Sequence, residues 1–564
     1  MTAKREWSLA AVHEVVSTTV PDREMVVWRD VRRSYAAVRE RSAAFAGALR
    51  DAGLGAHRER AELAPWECGQ DRIALLLHNR PEHVEAILGC WKARAVPCNV
   101  NYEYTPREIA ELLERLDARG VVYERALGAR LAEVVDRSSV RARSRSSVRA
   151  RSRSSVRARS RIDLLVEVDD GSDTPRLPGA VDYETLATGP HRVPHDTTPD
   201  DLHVACTGGT TGHPKAVLWR QADIFVSSMG GDDEIDEARL RARAEAGAGV
   251  WFPTSPMMHV AAQWTTFLAA NMGATVVLHD DTQRFDAREI LEVAERERAN
   301  MMTIVGDAYG RPMIDELRRR PYDLSALAVL GTGGTPTSNA VKEALAQEIP
   351  GVIVRDGYGS SETGVMGSGQ FDAAGPEQQR FEVAPDARIL SADRSRFLEP
   401  GDDEVGWIVR RGHVPLGYLD DEAATTATFP VVDGVRLAVA GDRARYDADG
   451  RVVLLGRDSL VINTGGEKVF VEEVEDVLKR HDAVVDALVT SRPHDRFGQE
   501  VVAVVQLADG AGVTPPELRA WCTEHLARYK APRAFVVVDV VQRHPSGKAD
   551  YAWARSVAPG AEGA

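Results

Sequence analysis

A chain of 564 residues carries only five cysteines, Cys68, Cys90, Cys98, Cys206 and Cys522, scattered and without a CxxC pair. That scarcity points away from a disulfide framework or a zinc ribbon and toward a reducing compartment, the cytoplasm. No run of about 18 apolar residues occurs, so nothing is expected to span a membrane as a helix. The opening MTAKREWSLAAVHEVV has basic residues but no apolar core of the export-signal kind. Positive charge is also in short supply, with 70 Lys and Arg against 85 Asp and Glu and a formal charge of −15. With 43% hydrophobic and 27% charged residues, the composition is that of a globular protein. Length alone suggests about three to four compact units at roughly 150 residues each.

The most conspicuous stretch is three copies of RSSVRARS starting at Arg137 and closed by Arg161. It holds ten arginines and no acid, so the rest of the chain carries −25. An acidic body disfavours binding to a phosphate polymer, although ten arginines could neutralise several phosphates and would make such binding steeply salt-dependent. The tract has no aromatic residue on which bases could stack. A period of eight fits no solenoid, and 137–161 reads as a solvated insert; nucleic-acid binding through it is the alternative from another class.

From Ile73 the pattern alternates strand and helix. IALLL is a short apolar run, Pro81 can open a helix, and Val84, Ile87, Leu88 and Trp91 fall on one helical face. AVPCNV reads as a second strand, and Thr105, Pro106 and Glu108 form a capping-box signature. Ile109, Leu112, Leu113 and Leu116 repeat the helical stripe before a third strand at 121–123. This β-α-β-α-β order predicts an α/β protein with parallel sheet. A second unit is expected after Arg457, where Val474, Val477 and Leu478 mark a helix, VVAVVQL and AFVVVDVV mark strands, and Thr514, Pro515 and Glu517 repeat the capping signature.

Chemistry concentrates in CTGGTTGHPK, Cys206 to Lys215. Glycines let backbone amides approach an anion, threonine hydroxyls donate to phosphate oxygens, and a lysine adds charge. It is not a Walker loop, because His213 and Pro214 separate Gly212 from Lys215. TGGTTGHPK resembles the phosphate-binding loop of the adenylate-forming superfamily, which includes acyl-CoA synthetases, luciferases and peptide-synthetase adenylation domains. Further matches follow in order: GTGGTP at 331–336, GYGSSETG at 357–364, AVAGDRARYDADGRVVLLGRD at 438–458, INTGGEKVFVEEVE at 462–475 and PSGKADY at 545–551.

The resemblance implies a large N-terminal domain, 1–457, of doubly wound sheets with a β-barrel-like subdomain, and a small mobile α+β domain, 458–564. It also implies a two-step reaction in which ATP and a carboxylic acid give an acyl-adenylate and pyrophosphate, and a thiol then displaces AMP. Thr207, Gly208, Gly209, Thr210, Thr211, Gly212 and Lys215 would cradle the phosphates. Gly333, Gly334 and Thr335 would lie on the adenine side with Asp356, Gly357, Tyr358, Gly359 and Ser360. Ser361 would reach the α-phosphate, Glu362 would hold Mg²⁺, and Asp442 with Arg457 would take the ribose. Lys548, Glu362, Thr211 and His259 would be the catalytic groups, and His259, Val260, Trp264 and Gly333 would border the acyl pocket. Asp458 would be the hinge that withdraws Lys548 and presents Gly465, Gly466 and Glu467 to the coenzyme A thiol. Two departures stand out: Gly208 replaces the serine of many relatives, and Ser459 stands where many place a lysine.

Only sixteen residues follow Lys548, so free coenzyme A is expected as acceptor, with a carrier protein or oxidative use of the adenylate as the alternative. AILGCWKARAVPCNVNYEYTPREI, MTIVGDAYGRP and PLGYLDDEAATTATFP are most similar to actinobacterial fatty-acyl-CoA synthetases, particularly those handling sterol side-chain acids. Gly273, Ala308, Gly333 and Gly334 are compatible with room for a bulky acyl group. The expected partners are therefore ATP, coenzyme A and a small-molecule acid, with a homodimer left open. A serine hydrolase is disfavoured, since GYGSSETG lacks the G-x-S-x-G elbow.

Overall fold

The computed structural model describes residues 5–134, 162–190, 196–207, 215–283, 285–335, 337–372, 380–457, 460–464, 467–494, 498–544, 547–560 and 562–563. Among these the strands form three sheets. The first is built on the alternation read from the sequence: Arg72–Leu76, Val96–Asn99 and Ala118–Glu124 are strands, and the helices Pro81–Lys92 and Pro106–Leu116 connect them. Arg72–Leu76 lies between the other two, parallel to both. The helix Pro81–Lys92 forms because proline presets its first turn and its apolar residues recur on one face. Val84, Ile87, Leu88 and Trp91 are all buried, each contributing roughly 1.5–3 kcal/mol of apolar transfer. In the second helix the Thr105 and Glu108 side chains cap each other's backbone N–H groups, worth about 1 kcal/mol.

The strand Leu202–Thr207 extends this sheet in parallel beside Val96–Asn99, and Lys215–Arg220 returns antiparallel to it. A two-residue strand, Gly417–Tyr418, then pairs with Lys215–Arg220. At the other edge Ala118–Glu124 and Leu164–Val168 pair in parallel over five positions. The residues 137–161 between them lie outside the described residues, and the sheet keeps its order across the insertion point.

The second sheet joins parallel strands, among them Met301–Ile304, Val329–Thr332 and Ile353–Ser360, to antiparallel strands that form a β-subdomain. Met366, Ile389, Ile408 and Ala444 pack into a small core of its own. The third sheet uses only residues after Arg457, with Gly498–Leu507 at its centre. Helices Val471–Lys479 and Pro515–His525 close it over a core that includes Val474, Leu478, Ala503, Val505, Leu518 and Phe535. No helix among the described residues is long and apolar enough to cross a membrane.

Candidate functional site

The candidate residues lie along the first and second sheets, with the Lys548 turn of the C-terminal unit seated against the second. Thr207 ends one strand, Lys215 begins the next, and the two are register partners. A hydrogen-bonded strand pair thus flanks positions 208–214 in the chain. Gly208, Gly209, Thr210, Thr211 and Gly212 lie outside the described residues, as does the Thr207 side chain. Lys215 Nζ sits 4.6 Å above the Tyr418 ring, and the Tyr418 hydroxyl donates to Glu362 Oε1 at 3.0 Å.

Glu362 occupies the turn between Ile353–Ser360 and Gly364–Gln370. A Cβ on Gly359 would collide with the Gly364 carbonyl oxygen, so the hairpin requires glycine there. Hydrogen bonds from three directions fix the turn. The Ser360 N–H donates to Thr363 Oγ1 at 3.1 Å, and Trp219 Nε1 donates to the Ser361 carbonyl at 2.9 Å. Arg410 Nη1 donates to the carbonyls of Thr363 and Val365 at 3.0 and 2.9 Å. Arg410 is buried, and nothing in the sequence singles it out.

On the side expected from the sequence to take the nucleoside, Thr332 and Asp356 are register partners on adjacent parallel strands. The Thr332 hydroxyl donates to Asp356 Oδ1, and the buried Lys342 donates to Oδ2 at 2.7 Å. A Cβ on Gly333 would come within 3.3 Å of the Gly357 carbonyl, so the two glycine loops approach closely. Gly334 has φ +77° and is exposed, and Thr335 is half-buried beside it. The Tyr358 hydroxyl donates to Asp442 Oδ2 at 2.6 Å. Asp442 in turn is the register partner of Arg457, whose side chain lies outside the described residues.

His259 caps the helix Val260–Asn271 without a side-chain capping bond. Its loop is held by two asparagines, one beyond the strand Arg72–Leu76 and one ending Val96–Asn99. Asn79 Oδ1 accepts from the Met257 N–H at 2.6 Å, while Asn99 donates to the Met258 carbonyl and, at 3.1 Å, to the Cys206 carbonyl. Asn99 Oδ1 also accepts from the Cys206 N–H at 3.0 Å. One buried amide thus ties the root of the 208–214 segment to the histidine loop. Val260 and Trp264 are buried beside His259. The Nε2 of His259 and the indole nitrogen of Trp264 are buried with no hydrogen-bond partner among the described residues.

Lys548 is exposed in a turn closed by His544 N–H to the Lys548 carbonyl at 2.9 Å. A Cβ on Gly547, at φ +75°, would touch Val305 and Ala308 at 3.3 and 3.4 Å, so this turn is seated on the second sheet's connections. Burial, and then the Lys548 ammonium, push the His259 imidazole down to about 4. The ring is therefore neutral at pH 7. Its folded value lies below the usual imidazole value of about 6.5, so the stability it permits is present above that value and is lost as pH falls toward about 4. Removing the ammonium with Lys548→Met should raise the His259 titration while burial keeps it below its ordinary value. Histidine-selective NMR checks this, and an unmoved titration would mean that the lysine does not face the ring.

Asp458, Gly465 and Gly466 lie outside the described residues, and Glu467 is described only by its backbone, as the register partner of Thr464. Gly273 departs from expectation. At φ +72° its open side is filled by the Ala244 backbone and Arg23, so it serves a helix-ending turn and gives no room to an acyl chain.

The AMP-binding enzyme family matches residues 13–419, and the AMP-binding enzyme C-terminal domain matches 473–548. The chain is 43% identical to a medium-chain acyl-CoA ligase of Mycobacterium avium, with 98% of each chain covered. It is 35% identical to a 3-oxocholest-4-en-26-oate–CoA ligase of Rhodococcus rhodochrous, covering 97% of this chain and 95% of that one. Among solved structures, a benzoate CoA ligase from Burkholderia xenovorans LB400 superposes with TM-score 0.76 at 21% identity, covering 97% of this chain and 100% of that one.

Proposed function

Because this chain belongs to the AMP-binding enzyme family, we propose that it is an ATP-dependent acyl-CoA synthetase that activates a fatty or sterol side-chain acid through an acyl-adenylate. The carrying observation is that the Gly547–Lys548 turn of the C-terminal unit is seated against Val305 and Ala308 of the second sheet's connections, which supports a cation reaching the acyl side of the proposed phosphate-binding hairpin.

In the first step a carboxylate oxygen attacks the α-phosphorus and pyrophosphate leaves. Negative charge grows on the phosphate oxygens, and preorganised donors and cations lower its cost. Thr207 to Lys215 hold the phosphates, with Lys215 supplying a charge and Thr211 a hydroxyl. Tyr358 stands against adenine between the glycine loops, Asp442 and Arg457 take the ribose, and Ser361 reaches the α-phosphate. Lys548 neutralises charge between carboxylate and phosphate, and neutral His259 with Val260 and Trp264 borders the acid.

Glu362 fits Mg²⁺: it is a half-buried carboxylate with one oxygen bound by a phenol, and carboxylate plus phosphates is the oxygen donor set this ion takes. The bound ion would neutralise phosphate charge. In the second step rotation about Asp458 withdraws Lys548 and brings Gly465, Gly466 and Glu467 to the coenzyme A thiol, which displaces AMP. The division at 457/458 is supported by a third sheet drawn wholly from later residues. The cytoplasm, where ATP and reduced thiol are available, is the compartment this chemistry suits.

Product mass spectrometry with ATP, Mg²⁺, coenzyme A and competing medium-chain, long-chain and sterol side-chain acids tests the reading. An acyl-CoA together with AMP is expected. AMP-linked acid without thioester would point to another acceptor, and no product from any acid would refute the assignment.

A further inference from the structure

Lys215 and Glu362 are opposite charges grouped around one ring, yet no ion pair joins them among the described residues. Tyr418 touches both. Its strand Gly417–Tyr418 pairs antiparallel with Lys215–Arg220, Tyr418 opposite Val217. Lys215 is two residues before Val217, so it is the diagonal same-face neighbour of Tyr418, within reach of a long side chain. This register puts the ammonium 4.6 Å over the ring. The ring itself is buried against Phe429, with centroids 5.6 Å apart, and the Tyr418 N–H donates to Thr425 Oγ1 at 2.9 Å. The phenol is therefore pinned from its backbone and from its face, while its hydroxyl donates to Glu362 Oε1 at 3.0 Å.

Resting on the synthetase reading, we propose that Tyr418 is a positioning residue with two separable tasks. Its hydroxyl fixes the Glu362 carboxylate so that the other oxygen is turned to the metal, and its ring face holds Lys215 for the phosphates.

The two tasks come apart in Tyr418→Phe, which keeps the ring and deletes the hydroxyl. Mn²⁺ binding, read by electron paramagnetic resonance in the presence of α,β-methylene-ATP, should weaken roughly 10- to 100-fold, as loss of a hydrogen bond to a charged group implies. Binding of the same nucleotide without metal, read by calorimetry, should stay within about twofold. Tyr418→Leu removes the ring as well and should weaken both. In a Glu362→Gln background, Tyr418→Phe should have no further effect on Mn²⁺, because the coupled partner is gone. Unchanged Mn²⁺ affinity in a folded Tyr418→Phe protein would overturn the assignment, as would equal losses with and without metal. Failure of the unaltered enzyme to bind Mn²⁺ with nucleotide would instead overturn the functional reading on which it rests.

Discussion

Lys548→Ala should cut acyl-adenylate formation by at least about 10²–10³-fold, the range seen when one preorganised charge-stabilising group is lost, while thioester formation from supplied acyl-adenylate stays near its original rate. The asymmetry follows from position. The lysine turn is closed on itself by the His544 and Gly547 backbone bonds and seated against Val305 and Ala308 through Gly547. Its charge helps to push the His259 imidazole down, on the side where the carboxylate and α-phosphate would meet. On the proposed reading the second step has no carboxylate attack to stabilise, and the turn would have moved away. Single-turnover assays of each half-reaction decide it, and equal losses in both would refute the division of labour.

What can be read from the chain depends on the sequence distance over which each feature acts. The capping box at Thr105 and Glu108 is legible because its partners are three residues apart, and so is the helical face from Val84 to Trp91. The Thr207–Lys215 segment stands out in sequence because glycines, hydroxyls and a lysine fall within one short stretch, of which 208–214 lie outside the described residues. Asn99 is not. It lies in an apolar run that reads only as a strand, and its value comes from Cys206 and Met258, which a linear pattern does not connect to it. Tyr418 sits within PLGYLDD without an evident role, since its contacts with Lys215 and Glu362 arise from a sheet register. Arg410 is hidden for the same reason: a buried guanidinium bound to the turn carbonyls looks, in sequence, like one more arginine. The seating of the C-terminal unit on the second sheet is a matter of rigid-body placement, which no local pattern encodes.

Asn99→Asp is the substitution expected to do most damage for least change in shape. The side chain fills the same volume, but a carboxylate cannot donate. The bonds to the Cys206 and Met258 carbonyls are lost, and a negative charge is left facing two carbonyl oxygens in a buried place. Only the bond accepted from the Cys206 N–H survives. Leaving buried acceptors unpaired costs about 1–3 kcal/mol each, more where a charge is involved. Asn99→Ala loses all three bonds but adds no charge, so it should be the milder variant. Both should lower the thermal midpoint, with Asp lower than Ala and the gap narrowing as pH falls and the carboxylate takes up a proton. Because the amide ties the root of the phosphate segment to the His259 loop, adenylation should fall further than stability alone explains, with the loss seen at temperatures where the variant remains folded. Calorimetry across pH and adenylate formation at saturating ATP measure the two effects. An Asp variant as stable and active as the original would show that this bridge holds nothing in place.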